Sequence, residues 1–141
     1  MLQGMIARQG KALAAACVVA VAFLAGCGSN GSSQPAVCSS VTNLKNSVTD
    51  LKNVNVRANG ISAVSDQLNK IDQELKTVKS DAHGQFSTQI DGLSSALSGL
   101  SSSVNAAKAN LNGGTLGAVA SSAGAVVTAG DNLVTAVSNT C

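Results

Sequence analysis

FSTQIDGLSSALSGLSSSVNAAKANL, residues 86–111, is the stretch that decides the fold. Its apolar members fall at Phe86, Ile90, Leu93, Leu97, Leu100, Val104, Ala107 and Leu111, separated by steps of three and four. Steps of that size place one residue per turn on the same side of an α-helix and build an apolar seam. A half-buried strand would alternate every second residue, and no part of this stretch does so.

The same stepping extends in both directions. Upstream, one set runs Val37, Val41, Leu44, Val48, Leu51, and another runs Ile61, Val64, Leu68, Ile71, Leu75, Val78, Ala82. Downstream, a fourth set runs Leu116, Val119, Ala123, Val126, Gly130, Leu133, Val137. A heptad echo, Val41-Thr42-Asn43-Leu44 followed by Val48-Thr49-Asp50-Leu51, strengthens the first set; at seven residues it is too short for a solenoid unit. The chain is therefore expected to be an all-α antiparallel helical bundle spanning residues 37–141.

The interruptions set the helix count. Residues Asn53 to Gly60 carry three asparagines and a glycine and lose the period, which predicts a turn with the next helix starting near Ser62. In Asn112-Gly113-Gly114-Thr115 the glycines suit a helix C-terminus and Thr115 an N-cap. At His83-Gly84 the stepping turns to four and four, which reads either as a third turn or as a stutter in one helix from Ile61 to Leu111. The first choice gives four helices. The second gives three, with a central helix of about 50 residues, ~75 Å long at 1.5 Å per residue.

Charge and composition narrow the surface. The sequence has 141 residues, 1% aromatic, with no Trp or Tyr and a single His. Beyond residue 27 there are seven Lys or Arg and seven Asp or Glu, so the side chains balance. A balanced surface lacks the basic footprint of a nucleic-acid-binding protein. Asp66–Lys70 and Asp72–Lys76 are spaced for helix-surface ion pairs worth ~0.2–0.5 kcal/mol each. Gly92 and Gly99, and Gly117 and Gly124, lie one heptad apart. Each glycine inside a helix costs ~1 kcal/mol relative to alanine, so close helix approach is expected at these four positions, with loose packing of the last helix as the alternative.

No catalytic arrangement emerges. His83 has neither a nucleophile nor an orienting carboxylate at a productive spacing; Asp81 is two residues away and off its face. One His and a few cysteines do not supply converging metal ligands. Gly113-Gly114 lacks the Lys-Ser/Thr and the preceding strand of a phosphate loop. The chain is expected to be no enzyme and to use no cofactor or metal.

The first 26 residues read as an export signal. Arg8 and Lys11 are followed by an uncharged run from Ala12 to Gly26, shorter than the ~20 residues that cross a bilayer. The run closes on Leu24-Ala25-Gly26-Cys27, which resembles the lipobox of bacterial lipoproteins. That resemblance implies cleavage between Gly26 and Cys27, a diacylglyceryl group on Cys27, and attachment to the extracytoplasmic face of a membrane. Residues 27–36, rich in Gly and Ser, read as a flexible tether.

With Cys17 removed and Cys27 lipidated under this resemblance, Cys38 and Cys141 remain. Two thiols in an exported chain have one intramolecular pairing, and the compartment favours oxidation. A redox-active pair is the weaker reading, since there is no Cys-x-x-Cys spacing and no neighbouring basic group. Four antiparallel helices bring these cysteines to the same end. With the long central helix, helix lengths alone leave them ~14 Å apart along the axis, beyond the ~7 Å that a disulfide allows but a gap that a loop can absorb. The four-helix arrangement is accordingly preferred.

The functional expectation is a membrane-anchored, non-enzymatic binding or spacer module of the cell envelope, partnered by the membrane and by an envelope protein or lipid. Two alternatives stand beside it. One is a carrier of lipid or another apolar ligand, entered at Gly92, Gly99, Gly117 and Gly124 and lined by Leu97, Leu100, Val104, Val126 and Leu133. The other, also by resemblance, is a phage-encoded lipoprotein that blocks superinfection.

Overall fold

The computed structural model describes residues 34–141. Four helices follow in chain order: α1 (Ala36–Asn53), α2 (Val56–Asp81), α3 (Ser87–Ala109) and α4 (Gly113–Ser138). Each packs on its two neighbours around a closed ring, α1 on α2, α2 on α3, α3 on α4 and α4 on α1. The core is the expected seam. Leu44, Ile71, Leu93, Leu100 and Leu133 are fully buried, together with Val64, Val78, Val119, Val126 and Val137. Among the described residues no strand forms.

The chain does turn at His83-Gly84, so the arrangement is four helices. His83 (φ 48°), Gly84 (φ 86°) and Phe86 (φ 58°) all adopt left-handed backbone between α2 and α3. Two of these are not glycine, and each such residue costs ~1–2 kcal/mol. Phe86 offsets this by laying its half-buried ring against the core. Its carbonyl accepts from the Ile90 amide at 2.9 Å and starts α3.

Other boundaries differ from the sequence reading. α1 begins at Ala36, one residue earlier than the expected domain start, with Pro35 as its N-terminal cap. The Asn53–Gly60 segment is only partly a turn. Asn55 accepts from the Arg57 and Ala58 amides (3.1 and 3.2 Å) and starts helix at Val56. Gly60, at φ 75° and ψ 172°, then breaks the helix, leaving Val56–Asn59 as one isolated turn before the long run. Asparagine caps a helix as well as it breaks one, and the expectation weighed only the second role.

Thr115 is not the cap of α4. Asn112 is: its side chain accepts from the Thr115 amide at 2.9 Å, and Thr115 Oγ1 accepts from the Asn112 amide at 3.0 Å. This is a reciprocal capping box with threonine in the third position. Gly113 and Gly114 are the first two residues of α4 rather than the end of α3. Leu111, expected in the seam, sits in that turn and is 65% exposed.

The glycine expectation is also corrected. A methyl group added at Gly92, Gly99, Gly117 or Gly124 would meet nothing within 4 Å, so none of the four serves close helix approach. Gly130 does, as part of the fourth apolar set: it faces Val48 of α1. The surface pairs divide. Lys76 and Asp72 meet at 2.6 Å, whereas Lys70 reaches across to Asp50 of α1 at 3.8 Å instead of pairing with Asp66.

Candidate functional site

The even helix count creates two poles. At one, Cys38 in the first turn of α1 is bonded to Cys141 beyond α4, with Cα atoms 5.8 Å apart across 103 residues of chain. At the same pole the Ser40 hydroxyl, near the start of α1, donates to the Asp81 carboxylate at the end of α2. The opposite pole holds the α1–α2 turn at Val54-Asn55 and the α3–α4 turn at Asn110–Asn112. Gly26 and Cys27, with the expected export signal, lie outside the described residues, as does the expected tether as far as Ser33.

The α1–α2 interface carries a polar edge. Ser40 and Ser47 are one heptad apart on α1, and Gln67, Glu74 and Asp81 are spaced likewise on α2. Gln67 Nε2 donates to the Ser47 carbonyl at 2.8 Å. Among the described residues, Ser47 Oγ and Glu74 Oε2 are buried without a hydrogen-bond partner. Polar contacts elsewhere are sparser: Ser103 meets Ser122 at 2.7 Å between α3 and α4, and Lys108 Nζ donates to Ser65 Oγ at 3.0 Å between α3 and α2.

Charge is distributed unevenly. α1 and α2 hold eleven charged side chains, from Lys45 to Asp81, whereas α3 and α4 hold only Asp91, Lys108 and Asp131. His83 is exposed in its turn, and Asp81 is engaged by Ser40. Among the described residues no three His, Cys, Asp or Glu side chains converge. No helix among them is long and apolar enough to cross a membrane.

Two surface grooves stand out. One of about 440 Å³ runs beside the disulfide and mixes polar Thr42, Asn43 and Lys45 with Val41, Val134 and Val137. The other, about 300 Å³, lies toward the opposite pole between the α1–α2 turn and α4. Its floor is Leu51, Val64 and Val119, each at most 3% exposed. Val54, Val56, Ala123 and Val127 form half-buried walls, and Lys52 is its one charged lining residue. Leu97, Leu100, Val104, Val126 and Leu133, the lining expected for an apolar-ligand cavity, belong to the buried core and border neither groove.

Sequence reasoning missed the second groove because it followed the seam. Val54 and Val56 fell inside a segment read as turn, and Val127 is one residue off the α4 seam. Apolar residues placed where the seam does not need them were the available signal. Comparison with protein-family models, with curated proteins and with solved structures finds no match to this chain.

Proposed function

We propose that the chain is an exported lipoprotein, held at the extracytoplasmic face of a membrane by a diacylglyceryl group on Cys27, whose four-helix ectodomain is a non-enzymatic binding or spacer module of the cell envelope. The observation that carries this reading is the Cys38–Cys141 bond. Structural disulfides belong to oxidising compartments outside the cytoplasm. An export signal ending in Leu24-Ala25-Gly26-Cys27 delivers a chain to such a compartment. The pole opposite the disulfide, with its apolar groove and exposed Leu111, is the surface offered to a partner.

Cys27→Ala in a host that processes lipoproteins tests the reading. The expected result is an uncleaved precursor without lipid label that no longer fractionates as an acylated protein. A correctly cleaved, lipid-labelled Cys27→Ala product overturns it.

A further inference from the structure

We infer that the groove between the α1–α2 turn and α4 binds the alkyl chain of a single-chain anionic amphiphile, a fatty acid, with its carboxylate at Lys52. The inference deepens the binding-module reading and depends on it for its setting, but not on acylation of Cys27.

Three observations converge on this ligand. The groove's lining is apolar except for one side chain: Leu51, Val54, Val56, Val64, Val119, Ala120, Ala123, Gly124 and Val127 surround it, with Lys52 at the rim. Its volume of about 300 Å³ is at the lower end of small-molecule sites, ~300–1,000 Å³, which suits one chain and not a two-chain lipid. Lys52 makes no ion pair among the described residues, where Lys70 and Lys76 both do. A cation in the last turn of a helix is ordinary. What singles out Lys52 is its position as the sole charge bordering an open apolar trough. An alkyl carboxylate matches both parts of that arrangement at once.

The wall beside Lys52 is an isolated turn that packs on the core through Val54 and Val56. Val56–Asn59 is a single helical turn between extended Val54-Asn55 and Gly60. Gly60 holds φ 75°, backbone that only glycine adopts without strain, and nothing packs within 4 Å of where its side chain would be.

The test uses the full chain as its host makes it, reconstituted in phosphatidylcholine nanodiscs, with diazirine-bearing palmitate as the probe. After irradiation, adducts are mapped by peptide mass spectrometry. The expected result is labelling concentrated on the Leu51–Val64 and Val119–Val127 segments, competed up to about fivefold more strongly by palmitate than by hexadecanol. Lys52→Glu is expected to lower the adduct yield about fivefold, the size of effect when an exposed ion pair becomes a repulsion, and Lys52→Arg to retain it. Gly124→Leu, which fills the groove, should abolish labelling. Because Lys52 is exposed, its variants keep the test valid if Gly124→Leu fails to fold.

Labelling spread over the outer helix faces, labelling at the disulfide-side groove, or equal competition by hexadecanol overturns the inference. So does a dimer in native mass spectra that shields the groove and persists in palmitate. The same spectra report acylation of Cys27, so failure of the anchor and failure of the groove are separate results.

Discussion

Gly130 of α4 sits directly against Val48 of α1: a methyl group at position 130 would lie 3.2 Å from both Val48 methyl carbons. The closeness belongs to the α1–α4 interface, which closes the ring of helices. Gly130→Ala gains about 1 kcal/mol of helix propensity and meets an overpacking cost of ~1–3 kcal/mol. A net loss of up to about 2 kcal/mol is expected in urea unfolding, from the difference of those two terms. The Val48→Ala, Gly130→Ala double variant should lose less stability than the sum of the two single variants, because alanine at 48 removes the clash. Independent, additive effects of the two changes would show that the contact is not limiting.

Three other helical glycines should behave in the opposite way. Gly92, Gly99 and Gly117 are exposed and have open space around them. Each alanine substitution is expected to stabilise the bundle by about 0.5–1 kcal/mol, and the three should add because the sites are well separated. Thermal unfolding followed by circular dichroism measures this. A loss of stability at any of them would reveal a contact the structure does not contain.

The difference between these glycines marks where the sequence was legible. Period and burial agree for Val37 through Leu51, for Val64, Ile71, Leu75 and Val78, and for Ile90 through Ala107, because a helical period is a direct consequence of which side chains leave water. The Cys38–Cys141 pairing followed from the two cysteines that the expected processing would leave, and that pairing in turn favoured an even helix count. A glycine's role was not legible in the same way. It depends on the side chain of the facing helix, and the sequence alone does not say that Val48 lies opposite Gly130. Caps failed for a related reason: both Asn112 and Thr115 are good caps, and only the backbone path decides which of them lies at the boundary. The groove was hidden because it is made by residues the seam does not use.

Asn112→Ala is expected to cost about 1 kcal/mol, the usual loss for an N-cap asparagine. Hydrogen exchange should localise the effect to the first turn of α4. Thr115→Val removes the reciprocal arm and should show a smaller effect in the same place. Fraying confined to the end of α3 would point to a different function for these side chains.

Ser47 offers a gain. Its hydroxyl is buried, with 1% of the residue exposed and no hydrogen-bond partner among the described residues. Ser47→Ala deletes an unsatisfied polar group and improves helix propensity, so about 1 kcal/mol of added stability is expected by chemical denaturation. A loss instead would mean that the hydroxyl is satisfied in solution, with Glu74 as the first group to examine.

Reducing the Cys38–Cys141 bond should lower stability by about 4–5 kcal/mol on the chain-entropy account for a loop of this length. Much of the helical circular dichroism should survive at low temperature, since the apolar seams remain. Non-reducing peptide mapping of exported protein checks the pairing itself. Two free thiols, or a bond between the Cys38 residues of two copies, would contradict it.

The position of that bond has a mechanical consequence. Tension applied through Gln34 reaches Cys38 within the first turn of α1 and passes through the sulfur bridge to Cys141, at the end of α4. The load is therefore shared at once between the first and last helices. Peeling α1 away one turn at a time, the easy failure path for a terminal helix pulled from its free end, is closed off by a covalent link. A pull on the chain at Gln34 must strain the bundle as a unit, and drag on the far pole returns to Gln34 along two helices instead of one.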